Sequence, residues 1–94
     1  MLKNKIKEVK NKYGNNYKVV YWATEENRDM GTSDLYCLDF SLEEAISAAK
    51  RIIGDYAVSA EVRVHDKNSN FNNEVVFYCG PDEKEENYIE EWEV

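Results

Sequence analysis

A chain of 94 residues, 43% apolar and 13% aromatic, has the length of one domain and enough apolar mass for one small core, which excludes wholesale disorder. Nineteen acids against twelve bases leave a net charge of −7, which excludes a simple nucleic-acid binder, whose surface must be basic. No apolar run reaches the roughly 18 residues of a membrane span, and the start Met1-Leu2-Lys3-Asn4-Lys5 lacks the apolar stretch of a signal peptide.

Leu2, Ile6, Val9 and Tyr13 make one apolar stripe on a helix with lysines opposite, and Gly14-Asn15-Asn16 stops it. Residues 1–14 are therefore read as a basic amphipathic helix, too short to persist without docking. Residues 17–24 (YKVVYWAT) read as a strand, residues 25–33 (EENRDMGTS) as a polar loop, and residues 34–40 (DLYCLDF) as a second strand. A hairpin loop of that length marks a binding element. Ser41-Leu42-Glu43-Glu44 is a capping box, with Phe40 poised to staple against Ala45. Leu42, Ala45, Ile46, Ala49, Ile52 and Ile53 give the helix a wide apolar face; Lys50 and Arg51 suit its last turn, and Gly54 ends it.

Residues 57–66 (AVSAEVRVHD) alternate, with Val58, Ala60, Val62 and Val64 on a buried face and Ser59, Glu61, Arg63 and His65 on a wet one. An Asn-rich turn with an exposed Phe71 leads to a strand over 74–79 (EVVFYC), which Gly80-Pro81 stops. Residues 82–94 suit a helical stripe (Tyr88, Ile89, Trp92) nearly as well as a strand face (Tyr88, Glu90, Trp92, Val94); an acidic strand or extended segment is favoured. The expected fold is one α+β domain over 1–94. A ββαββ core over 17–80 forms a four-stranded, mainly antiparallel sheet with one central helix packed on it; the N-terminal amphipathic helix precedes it and an acidic aromatic tail over 82–94 follows.

Charge is unevenly spread: residues 1–12 balance to +4, residues 13–81 to −5 and residues 82–93 to −6. The plainer account is a basic start lying near an acidic end; the sharper one is an acidic end presented to something basic. The one histidine, His65, has no nucleophile or metal-ligand pattern around it and is read as a solvated strand residue. Cys37 and Cys79 belong to no C-x-x-C pair and are read as reduced core thiols, able to meet only if their strands adjoin. Gly14, Gly31, Gly54 and Gly80 are too far apart for a phosphate-cradling loop. No enzymatic activity, cofactor or metal is expected. Trp22, Tyr17, Tyr21, Tyr36, Tyr56, Tyr78, Tyr88 and Trp92 exceed what one small core needs. They either form a contact face or line a second sheet face covered by the N-terminal helix, with a homodimer through that face as a third option.

From residue 17 to residue 78 the order of strands, the Ser41–Ile46 and Ala49-Lys50 helix, Glu61-Val62-Arg63-Val64 and Glu74-Val75-Val76-Phe77-Tyr78 resembles small proteins of bacteriophages and mobile elements. Ten Asn and nine Lys against three Arg suggest an AT-rich genome. The resemblance implies an anti-defence inhibitor or adaptor of the anti-CRISPR type, and it carries over no site residue. The expected function is thus a cytoplasmic, non-catalytic protein-binding module whose carboxylates stand where phosphates would in the basic groove of a host nucleic-acid enzyme. Its binding residues would be Asp82, Glu83, Glu85, Glu86, Tyr88, Glu90, Glu91 and Trp92, and secondarily Glu25, Glu26, Asp29 and Asp34. Neither direct nucleic-acid binding nor a membrane partner is expected. The alternatives are an oligomer that binds a nucleotide-like ligand, with aromatics on the base and Lys50, Arg51 or Arg63 on phosphate, and a structural phage or host component.

Overall fold

Three helices and five strands make up the described part of the chain: α1 (Leu2–Tyr13), β1 (Tyr17–Trp22), α2 (Glu25–Met30), β2 (Asp34–Phe40), α3 (Leu42–Ile52), β3 (Ser59–Val64), β4 (Val75–Pro81) and β5 (Asn87–Ile89). The computed structural model describes residues 2–31, 33–81 and 87–89, with side chains for 5–31, 33–36 and 38–80. The strands form one sheet in the order β2-β1-β3-β4-β5, and every neighbouring pair is antiparallel. Because β1 lies between β2 and β3, these two run parallel, and α3 makes the crossover between them.

The α3 cap forms as its sequence requires: Glu44 N–H donates to Ser41 Oγ at 3.2 Å and Ser41 N–H donates to Glu44 Oε1 at 3.1 Å. The helix lays Leu42, Ala45, Ile46, Ala48, Ala49 and Ile52 on one face of the sheet, where they meet Tyr17, Val19, Ala60, Val62, Val64, Phe77 and Cys79. Each large aliphatic side chain buried there contributes roughly 1.5–3 kcal/mol. Ile6 and Val9 of α1 belong to this same cluster. The N-terminal helix therefore docks beside α3 and does not cover the opposite face of the sheet. The Lys10 Nζ lies 2.6 Å from both carboxylate oxygens of Glu43. The pair joins the last turn of α1 to the first turn of α3, and each charge suits its own helix dipole.

The four-stranded ββαββ expectation is corrected in two places. The sheet has a fifth strand: β5 pairs with β4 through Cys79↔Ile89, Gly80↔Tyr88 and Pro81↔Asn87, so β4 runs on through Gly80-Pro81 instead of stopping there. Residues 25–33 are not all loop. Thr24 Oγ1 accepts from Asn27 N–H at 3.0 Å, Gly31 closes the turn at φ 73°, and α2 forms between them. No residue of α2 is buried, so it has no apolar period to betray it; caps and the first-turn acids Glu25 and Glu26 define it. Asn-rich residues 66–74 fold back on α1 as an ordered loop, where Phe71 meets Tyr13 edge-on at 5.0 Å and Lys18 bonds Asn73.

Strand β2 carries two extra residues against β1. Tyr17 faces Phe40 and Val19 faces Cys37, then Val20 faces Leu35, so each interval leaves one β2 residue unmatched. Asp39 takes up part of this irregularity with φ 58°. The two cysteines sit on β2 and β4, which two strands separate, so the backbones are about 14 Å apart and no disulfide joins them. Cys79 is buried, and its thiol donates to the Ala49 carbonyl at 3.4 Å.

Candidate functional site

The sheet end at which β1 leaves and β2 enters carries the secondary acidic set of the sequence reading, Glu25, Glu26, Asp29 and Asp34, together with three of its candidate contact aromatics. Asp34, exposed at the start of β2, is the register partner of Tyr21. Tyr21 packs edge-on against Tyr36 at 6.4 Å and against Tyr56 at 5.4 Å, and Tyr36 and Tyr56 lie 6.0 Å apart. The three rings come from two strands and the turn after α3, a grouping that no local sequence signal announces. Arg51 Nη2 donates to the Tyr36 hydroxyl at 3.2 Å. Tyr56 remains 43% exposed. Such a cluster offers rigid aromatic area with polar tips, the composition of interface anchors.

Chain connectivity puts α2 at the same end, since it starts three residues after β1 and ends four residues before β2. Its Glu25, Glu26 and Asp29 are all exposed. Connectivity thus puts these three acids at the sheet end where Asp34 pairs with Tyr21. Of the acidic aromatic tail, Asp82, Glu83, Glu85, Glu86, Glu90, Glu91 and Trp92 lie outside the described residues, and Tyr88 is described only as a backbone position of β5. The other aromatics expected at a contact face divide differently. Tyr17 and Trp22 are buried and Tyr78 is half-buried. The Tyr17 hydroxyl donates to the Gly14 carbonyl at 2.6 Å and its pKa is pushed up to about 12, first by burial and then by Glu43 and Tyr13.

Arg63 stacks over Trp22 at 5.9 Å on the sheet face away from α3, and its Nε lies 3.4 Å from Glu61 Oε2. His65 Nε2 is 3.7 Å from Asp39 Oδ1. Among the described residues no three His, Cys, Asp or Glu side chains gather as metal ligands. A groove of about 560 Å³ beside α1 is lined by Ile6, Lys7, Lys10, Asn11, Asn15 and Glu43. Its Lys10 is engaged by Glu43, whose carboxyl that bond holds below the ordinary 4.5 against the opposing effect of burial. Among the described residues no helix is long and apolar enough to cross a membrane. Comparison with protein-family models, curated proteins and solved structures finds no match to this chain.

Proposed function

We propose that this protein is a non-catalytic binding module that grips a basic protein surface with its tyrosine cluster and acidic border. The partner class is a nucleic-acid enzyme, whose basic groove the carboxylates would occupy as phosphates do. The observation that carries the reading is the register pairing of exposed Asp34 with Tyr21, which joins a carboxylate edge to the Tyr21–Tyr36–Tyr56 cluster. Aromatic anchors supply desolvated contact area, while border charges speed encounter and fix orientation. The resemblance to small phage inhibitors favours the same reading.

The test is competition. A panel of purified nucleic-acid enzymes is titrated with the protein, and displacement of bound nucleic acid is measured with wild type, with Glu25→Lys/Glu26→Lys/Asp34→Lys and with Tyr56→Ala. Inhibition that the charge reversal slows in on-rate and that Tyr56→Ala weakens through off-rate supports the reading. A nucleotide-like molecule co-purifying with an oligomer, and no displacement of nucleic acid anywhere in the panel, would transfer the case to ligand binding.

A further inference from the structure

We infer that the flank formed by α3 and the edge strand β2 is a two-fold surface that takes a second copy of this chain, with Ser47 near the dyad and Glu44 facing Arg51 of that copy. Strand β2 ends the sheet, so its outer side has no strand partner among the described residues. Beside it runs an open groove of about 350 Å³ lined by Phe40, Glu43, Glu44, Ser47 and Arg51.

The identity of the occupant follows from charge order along the helix. Glu44, Ser47 and Arg51 fall within about 60° of one another around α3, and Glu44 and Arg51 are about 10.5 Å apart along its axis. The row reads acid, small residue, base. A uniformly basic partner would meet Arg51 and a uniformly acidic one would meet Glu44. The same row turned end for end is complementary to it: antiparallel α3 helices related by a two-fold axis bring Glu44 to Arg51 twice, with the small Ser47 allowing close approach at the centre. Arg51 is held beside β2 by its bond to the Tyr36 hydroxyl. The two extra residues in β2 twist the edge and prevent a long, indiscriminate ladder, so side chains decide the pairing and the assembly closes as a dimer. The two-fold surface shares the Arg51–Tyr36 bond with the tyrosine cluster but needs neither Asp34 nor Tyr56, and its test reads the oligomeric state and not partner binding, so the two proposals can fail separately.

Sedimentation of the full chain over a dilution series tests it. The expected result is a species of about twice 11.0 kDa that dissociates on dilution and more readily in high salt. Ser47→Glu, at an exposed position, places two like charges at the dyad and should be monomeric throughout, melting like wild type at dilutions where wild type is itself monomeric. Arg51→Glu and Glu44→Arg should each be monomeric alone, and an equimolar mixture of the two folded variants should recover the dimer. A wild type that is monomeric at every concentration, a Ser47→Glu variant that dimerises normally, or a mixture that stays monomeric would each overturn the inference.

Discussion

Gly80 sits against Ser59 so closely that a Cβ on the glycine would lie 2.5 Å from the Ser59 Cβ and 2.8 Å from its Cα. The φ of Gly80 is 146°, a conformation that L-residues rarely adopt, and the Tyr78 hydroxyl would be 2.9 Å from the same added atom. Gly80→Ala is therefore expected to destabilise the fold by at least about 2 kcal/mol, from overpacking and backbone strain together. Urea denaturation reads the loss directly; a midpoint equal to wild type would mean that β4 does not approach β3 this closely.

Ser59 itself predicts the opposite sign. Its side chain is fully buried and its Oγ has no hydrogen-bond partner among the described residues. A buried hydroxyl without a partner carries a desolvation cost of about 1–3 kcal/mol. Ser59→Ala should leave the urea midpoint unchanged or raise it, and a clear fall would reveal a bond to the hydroxyl.

The reciprocal Ser41–Glu44 bonds give a third expectation. Ser41→Ala should cost about 0.5–2 kcal/mol, the range for losing an N-cap. Ser41→Asp, which restores an acceptor, should recover most of it. If both variants melt like wild type, packing of the α3 apolar face alone sets the stability of this helix.

Two titrations frame the pH range. Lys10 holds the Glu43 carboxyl below its ordinary 4.5, so the pair stabilises the fold above that value and the stabilisation fades as pH falls through the lowered one. Glu43 is partly exposed, so the effect is modest and salt-sensitive. Unfolding midpoints of wild type and Glu43→Gln should therefore converge as the solution is acidified below that range. At the alkaline end, Tyr17 keeps its proton to about pH 12 in the fold against an ordinary 10. That contribution is complete below pH 10 and is lost as pH rises towards 12. Tyrosinate absorbance of the folded protein should show more than one late-ionising residue; Tyr17→Phe should remove one of them and leave Tyr56, which burial and then the Tyr36 hydroxyl also push up to about 12.

Local patterns in the chain were sufficient for α1, α3 and the alternating strands, because a cap, a 3.6-residue stripe or a two-residue alternation lies within one element. Ser41-Leu42-Glu43-Glu44 is the clearest case; Ala60, Val62 and Val64 point inward as their alternation requires, whereas Ser59, expected on the wet face, is fully buried against Gly80, and Val58 is only half-buried. Helix α2 was hidden because a helix that buries nothing leaves no apolar period. The acidic residues Glu25, Glu26, Asp29 and Asp34 could be named from charge and exposure alone. Their setting could not, because Tyr21, Tyr36 and Tyr56 are joined only by a cross-strand register and the turn after α3. The separation of Cys37 from Cys79, the docking of α1 beside α3 and the place of β2 at the sheet edge likewise depend on strand order. Strand order is a property of contacts between residues far apart in the chain, which cooperative burial of the whole core selects and no local spacing encodes.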